Sequence, residues 1–212
     1  MLASWRRTLR TAAAALLWTA FAASGPSFGA APAPSADAAK VVDWVKRTSD
    51  HRGRPFAVVD KRQARIHVYD GEGKLVGQSP ALLGATRGDH TVPGVGLRAQ
   101  SGDVGQDERT TPAGRFDSVP GRNLTGEHIV WVDYTSAFAI HRVRPGRSEA
   151  PRSSRLATAR RDDKRVSNGC VVVPPAFYEQ VVQRVMGNVR SVVYVLPEKG
   201  LAAEFFTALE QQ

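Results

Sequence analysis

Apolar and polar residues alternate with a period of two along most of the chain, a pattern typical of half-buried β-strands. In the segment 63–70, Ile66 and Val68 would face one side of a sheet, and His67 and Tyr69 would face the other. The predicted strands are Phe56–Asp60, Gln63–Asp70, Lys74–Gly84, a strand that begins at Thr111–Phe116, the hairpin His128–Tyr134 and Ala137–Val143, Val171–Val173, and Val189–Leu196. Their number and spacing predict a mainly β fold, with a largely antiparallel sandwich or barrel-like sheet.

Three segments carry the helical period of 3.6 residues instead. Ala38–Thr48 predicts a short helix ahead of the sheet, and the run from Pro175 to Met186 predicts one inserted helix. A C-terminal amphipathic helix is predicted within 198–212. The segment His90–Arg109 is rich in glycine and polar residues and predicts a loop.

The N-terminus has the composition of a secretory signal. Residues 1–10 carry three arginines and no acid, an apolar stretch follows, and a run rich in Ala and Pro comes after it. The chain therefore divides into a signal peptide 1–30, a leader 31–54, a main domain 55–197 and the C-terminal helix 198–212. The signal-like N-terminus predicts export to the periplasm or cell wall. The alternative is that this segment stays uncleaved and serves as a membrane anchor.

The charge of the chain points to an anionic partner. The formal net charge is +9, and removal of residues 1–30, which hold three arginines and no acid, leaves +6. A basic protein suits an anionic surface such as a cell wall or a membrane face. Export and the lack of a nucleic-acid-binding motif argue against nucleic acid as the partner.

Cys170 is the only cysteine, so it cannot form an internal disulfide. In an oxidising compartment a spare thiol is a liability unless it is buried or used. Gly169 directly before it permits a tight turn that presents the thiol and lets backbone N–H groups converge on an oxyanion. A thiol nucleophile needs a base, and His141 at a predicted strand end is the best candidate. A buried structural cysteine and a structural histidine are the alternatives.

The segment Val166–Val171 resembles the catalytic signature of the L,D-transpeptidases (YkuD-type domain), in which a histidine at a strand end is followed by a spacer and Ser/Thr-His-Gly-Cys. Further elements similar to that family are the hairpin Ala57–Asp70, the turn Asp70–Gly73, the run Ser79–Gly84, and Thr111–Phe116, which is similar to its T-P-x-G-x-F element. The resemblance spans roughly Pro55 to Pro197 and implies an L,D-transpeptidase-like sheet.

The resemblance also implies roles for individual residues. Cys170 would be the nucleophile and His141 its general base, while the N–H groups of Gly169 and Cys170 would line an oxyanion hole and Ser167 would fix the loop. The family cleaves a peptidoglycan stem before its terminal D-alanine through a thioester. The acyl acceptor is an amine of a second stem or of a lipoprotein, or water in an L,D-carboxypeptidase. No metal or organic cofactor is implied.

Three features depart from the family pattern. Asn168 replaces the histidine before Gly-Cys, and Val172 replaces an Arg or Asn. The spacer between His141 and Cys170 is long, at 28 residues, and its segment Arg142–Arg165 holds nine basic residues against three acids. This segment is either a solvated loop or a lid beside the site that attracts anionic groups of the donor and binds substrate.

Two rival functions stay open at this point. In one, water is the normal acceptor and the protein is a thiol hydrolase. In the other, Asn168 and Val172 mark a catalytically weak, wall-binding scaffold, against which the presence of Cys170 and His141 argues. The other histidines show no zinc-ligand spacing with one another or with the cysteine, so no metal site is expected.

Overall fold

Strands make up the framework of the computed structural model, which describes residues 33–202 and 205–206. The strands are β1 Phe56–Asp60, β2 Arg65–Tyr69, β3 Leu75–Pro80, β4 Leu83–Gly84, β5 Gly114–Arg122, β6 His128–Asp133, β7 Phe138–Arg142, β8 Arg165–Ser167, β9 Val171–Val173 and β10 Ser191–Val195. The helices are α1 Ala36–Thr48, α2 Val95–Ser101, α3 Glu149–Ala157, α4 Pro175–Phe177 and α5 Gln183–Met186, with the π-helical turn Tyr178–Val182 between the last two. The predicted mainly β fold is confirmed.

Eight of the strands form one sheet in the order β3-β2-β1-β10-β5-β6-β7-β9, and β4 pairs with β8. Most neighbours are antiparallel, but β1–β10, β4–β8 and β7–β9 are parallel. Leu82, just after β3, exchanges two backbone hydrogen bonds with Val172 of β9, at 2.8 and 2.9 Å. These bonds join the two outer strands and give the sheet its barrel-like closure.

Both faces of the sheet are buried, because each alternating set of side chains meets a helix. Ile66 and Val68 pack in the cluster that the α4–α5 segment covers, whereas Tyr69 packs on the opposite face with α1. The predicted alternation in β2 is therefore confirmed. The helix predicted at Ala38–Thr48 is also present, and it begins two residues earlier, at Ala36.

Two segments differ from the sequence prediction. The predicted strand Lys74–Gly84 divides into β3 and β4, which belong to different sheets. The segment His90–Arg109, predicted as a loop, contains α2, which buries only Val95 and Gly96 and so has no helical period to read. An ion pair between Arg98 and Glu108 at 2.5 Å fastens this segment.

The two ends of the chain are described only in part. The predicted signal peptide 1–30 lies outside the described residues, and so does most of the C-terminal helix, of which Ala202, Phe205 and Phe206 are helical. Phe206 is buried against α1 and stacks with Trp44. Within 33–202 and 205–206, no helix combines the length and the apolar character needed to cross a membrane.

Candidate active site

Cys170 ends a tight turn that leads from β8 into β9. The Ser167 hydroxyl holds this turn, because it donates to the Cys170 carbonyl at 2.6 Å and accepts the Gly169 N–H at 3.1 Å. Ser167 thus fixes the loop by two hydrogen bonds. The same geometry engages the Gly169 N–H, which has to leave Ser167 before it can donate to an oxyanion.

Gly169 is required at its position for two reasons. Its φ is +124°, a backbone conformation that side chains other than glycine rarely adopt. A Cβ atom there would also lie 2.9 Å from the carbonyl oxygen of Thr110. The turn before the thiol is therefore packed directly against the chain that enters β5.

Thr111 connects that chain to the thiol loop. Its hydroxyl donates to the Gly169 carbonyl at 2.8 Å and accepts the Gly84 N–H at 2.9 Å. Thr111 is almost fully buried, at 1% exposure. The sequence marks Thr111 as the start of a predicted strand and of an element similar to T-P-x-G-x-F, but it does not reveal that the hydroxyl holds the thiol loop.

His141 shares a face of the sheet with the thiol. β7 and β9 are parallel neighbours, and His141 is paired with Val172. Cys170 lies two positions before Val172 and packs against the same cluster, so it shares that face by strand alternation. Cys170 lies one residue before β9, and regular strand spacing and rise would put its backbone about 8 Å from that of His141. The side-chain hydrogen bonds of the two residues go to the carbonyls of Ala137 and Arg142 and not to each other.

A hydrogen bond selects the tautomer of His141. Its Nδ1 lies 2.7 Å from the carbonyl oxygen of Arg142, and a carbonyl can only accept. Nδ1 therefore carries the proton, and Nε2 keeps its lone pair free to take a proton from another group. A backbone carbonyl thus orients the candidate base, a contact that the sequence does not reveal.

Both candidate catalytic groups are held in their neutral forms. Burial raises the pKa of the Cys170 thiol, against the lowering effect of a backbone hydrogen bond at Ala139. Burial, with the nearby charges of Arg144 and Arg152, lowers the pKa of His141 to about 4. The resting pair is therefore thiol and imidazole rather than thiolate and imidazolium.

The thiol makes its own contact with the β6–β7 turn. Cys170 Sγ lies 3.5 Å from the carbonyl oxygen of Ala137, so the S–H donates there in this conformation. Ala137 has a φ of +52°, which is uncommon for a residue with a side chain. Strained backbone of this kind costs on the order of 1 kcal/mol and occurs often at functional sites.

Asn168 is exposed on the rim of a shallow cleft beside the thiol loop. The cleft lies between this loop, the β6–β7 turn and the α2 segment, and its polar lining includes Thr91, Glu108 and Ser136. An amide at this rim can donate and accept hydrogen bonds with a ligand but cannot transfer protons at neutral pH.

The basic segment 142–165 is only partly a loop, because it contains α3 and a 3-10 turn at Asp162–Lys164. Leu156 is the one residue of α3 that is buried. It belongs to a cluster formed by Leu82, Val143, Leu156 and Val172. Val172, at 1% exposure, therefore serves the packing of α3, which accounts for an apolar residue two positions after the thiol.

Two of the remaining histidines, His51 and His128, make hydrogen bonds that hold the fold. His51 bonds the Gly71 carbonyl at 3.1 Å, and His128 bonds the Tyr178 hydroxyl at 2.8 Å and the Gly187 carbonyl at 2.9 Å. Across the described ranges, no group of three or more His, Cys, Asp or Glu side chains is arranged to hold a metal ion.

Comparison with known proteins gives only distant structural likeness. No protein-family model and no curated protein matches the chain. L,D-transpeptidase 1 of Mycobacterium tuberculosis is 17% identical over 67% of this chain and 60% of that one, with a TM-score of 0.35. The helical cell shape determining protein Pgp2 of Campylobacter jejuni is 15% identical over 70% and 49%, with a TM-score of 0.44.

The catalytic domain of an Enterococcus faecium L,D-transpeptidase is 18% identical over 68% of this chain and 98% of that domain, with a TM-score of 0.36. The chain thus spans 60% or less of the M. tuberculosis and C. jejuni structures. At these identities and TM-scores, the activity has to be argued from the residues of this chain.

Proposed function

We propose that this chain is an exported cysteine acyltransferase of the L,D-transpeptidase type, acting on peptidoglycan stem peptides. Two observations support the proposal: His141 is paired in the sheet with Val172, two positions after Cys170, and a hydrogen bond from Nδ1 leaves Nε2 of His141 unprotonated. The resemblance of Val166–Val171 to the family signature supports the substrate class.

Acylation begins from the neutral pair. The Cys170 thiol turns away from the Ala137 carbonyl and passes its proton to His141 Nε2 as the sulfur attacks the carbonyl carbon of the stem. The C–N bond before the terminal D-alanine then breaks, and the imidazolium returns the proton to the leaving amine. A thioester on Cys170 is the product.

The tetrahedral intermediate needs donors for its oxyanion. We assign the Cys170 N–H to this role, with the Gly169 N–H joining it once it leaves the Ser167 hydroxyl. We also assign to Asn168, which lines the cleft, a hydrogen bond to the bound peptide. No step of this scheme requires a metal or an organic cofactor.

Deacylation completes the cycle. His141 takes a proton from an amine on a second stem or on a lipoprotein as the nitrogen attacks the thioester carbon. The C–S bond then breaks, and the imidazolium returns the proton to the departing sulfur, which restores the thiol. Water in place of the amine would make the same chain an L,D-carboxypeptidase. The basic charge of the chain favours retention at an anionic wall.

A catalytically weak wall-binding protein is the second candidate. It is favoured by the resting contacts of the loop, in which the thiol donates to Ala137 and the Gly169 N–H is occupied by Ser167. Asn168 in place of a histidine adds to it.

Product analysis separates these functions. The chain and its Cys170→Ala variant are each incubated with purified tetrapeptide muropeptides, and the products are identified by mass spectrometry. Loss of D-alanine that depends on Cys170, with a crosslinked dimer, establishes the transferase, whereas a tripeptide alone establishes the carboxypeptidase. If the protein is folded but gives no product that depends on Cys170, the enzymatic function is contradicted and the wall-binding function is the candidate that stands.

A further inference from the structure

The face of α3 that lies toward the thiol carries an arginine. Arg152 precedes Leu156 by four residues, and residues four apart on a helix share a face. Leu156 packs beside Val172, and Cys170 packs against the same cluster. The packing of α3 therefore holds Arg152 near the strand end that presents the thiol.

Arg144 and Arg152, whose charges act on both Cys170 and His141, differ in their partners. Arg144 follows His141 by three residues, and its Nε lies 3.2 Å from Glu127 Oε2, with 45% of the side chain exposed. Arg152 is half-buried, and no carboxylate in the described part of the chain forms an ion pair with it. Of these two arginines, Arg152 is therefore the one whose charge is not shared with a carboxylate of the described residues.

The electrostatics of the reacting groups agree with this placement. After burial and a backbone hydrogen bond, the charges that act on the pKa of both Cys170 and His141 are those of Arg144 and Arg152. No other arginine of the basic segment affects either pKa in this way. These two side chains therefore contribute positive potential at the thiol.

We propose that Arg152, assisted by Arg144, binds a carboxylate of the acyl donor beside the bond that the thiol attacks. A guanidinium suits this role because its planar donors match the two oxygens of a carboxylate. The identity of the donor as a stem peptide rests on the function proposed above. The attraction of a carboxylate to the thiol depends only on where the arginines lie.

Alkylation of the single thiol tests this attraction without any catalysis. The sulfur displaces iodide from both iodoacetate and iodoacetamide, and the two reagents differ mainly in charge. Cys170 is the only cysteine that can react. The full chain and its Arg152→Gln, Arg152→Lys, Arg144→Gln and Arg147→Gln variants are compared by the ratio of the two rates at low salt. Arg147 is an exposed arginine of the same segment and serves as the charge-matched control.

The proposal predicts that Arg152→Gln lowers the ratio of the iodoacetate rate to the iodoacetamide rate roughly tenfold. Arg144→Gln should lower this rate ratio less. Arg152→Lys and Arg147→Gln should leave the ratio close to that of the unaltered chain. Added salt should reduce the ratio of the unaltered chain. An unchanged ratio in Arg152→Gln, or an equal fall in Arg147→Gln, would overturn the proposal.

A second comparison links the site to the donor and keeps the two proposals apart. Donor tetrapeptides with free carboxylates and with amidated ones are compared in the chain and in Arg152→Gln. The KM advantage of the free acid should disappear in the variant, with little change in kcat. A donor advantage that survives in Arg152→Gln would refute this site, whereas a chain inactive on every donor would refute only the enzyme and leave the alkylation result standing.

Discussion

At the scale of single residues, the site is a neutral pair held by backbone groups. The Arg142 carbonyl fixes the proton of His141 on Nδ1, and burial keeps the ring uncharged with a pKa of about 4. The same burial raises the pKa of Cys170. In the proposed mechanism the thiolate would therefore be generated during attack, by transfer of the Cys170 proton to Nε2, and not stored beforehand.

The pH dependence of alkylation follows from this neutral pair. Because the pKa of Cys170 is raised, its rate with iodoacetamide should keep rising with pH beyond the ordinary thiol range near 8.5. A thiolate–imidazolium pair would instead give a plateau that begins below about pH 6. The rate is measured by intact mass, with the same chain in denaturant as the reference for an unperturbed thiol.

Gly169 tests the close approach behind the thiol. Gly169→Ala combines a strained φ with a contact of 2.9 Å to the Thr110 carbonyl, whereas Gly126→Ala has a φ of +81° and open space around it. We expect Gly169→Ala to reduce the free energy of unfolding by about 1–2 kcal/mol more than Gly126→Ala does. Urea unfolding measures both, and equal losses would contradict the packing described for the turn.

At the scale of elements, the thiol loop is positioned by chain segments far apart in sequence. Thr111 joins it to the start of β5 and to Gly84 of β4. Lys61, buried after β1, donates to the carbonyls of Gly88 and Thr111 at 2.6 and 2.9 Å and to Asp89 at 2.7 Å. The loop therefore depends on a buried polar network as well as on the sheet.

The attachment of α3 depends on a single apolar residue. Leu156→Ala should release α3 from the cluster at a cost of about 2–3 kcal/mol and expose the arginine-rich segment to trypsin. Leu97→Ala is the matched control, because Leu97 is 74% exposed on α2. Limited proteolysis with mass spectrometry reads out the cleavage sites. Equal resistance of the two variants would show that Leu156 does not anchor the helix.

At the scale of the whole molecule, two apolar clusters on the two faces of the sheet carry the fold. Periodicity predicted most of its strands and the helix after β9, because those elements bury regular apolar positions. α2 and α3 were not predicted, because each buries only one or two residues and so has no regular apolar stripe in its sequence. Their positions depend on contacts with distant strands, which a local pattern does not contain.

The candidate site was predictable to a similar extent. The candidate thiol and the candidate base were found from the motif and from the predicted strand end. The role of Thr111, the orienting carbonyl of Arg142 and the link between Val172 and α3 require the pairing of segments far apart in sequence. Backbone carbonyls in particular leave no signal in side-chain identity.

The global stability should fall in mild acid. His67 is buried in β2, and burial lowers its pKa to about 4, as for His141. The unfolded chain therefore binds more protons between about pH 6.5 and 4, so the free energy of unfolding decreases as the pH falls through this window. Across this window, His67→Gln should make the decrease in the free energy of unfolding smaller by on the order of 3 kcal/mol. Urea unfolding at several pH values measures this difference.

An exposed histidine supplies the comparison for this prediction. His90 is exposed, so His90→Gln should leave the pH dependence of the free energy of unfolding unchanged. A slope that is the same in His67→Gln as in the unaltered chain would contradict the assignment of His67 to the acid-sensitive part of the fold.

The most direct test of the central claim is the mass of the acyl-enzyme. The chain, its Cys170→Ala variant and its His141→Gln variant are mixed with a tetrapeptide stem, quenched in acid and weighed intact. We expect an adduct on the unaltered chain equal to the stem minus D-alanine, no adduct on Cys170→Ala, and at least about a hundredfold slower formation on His141→Gln. No adduct on the unaltered chain, or one that also forms on Cys170→Ala, would contradict Cys170 as the nucleophile.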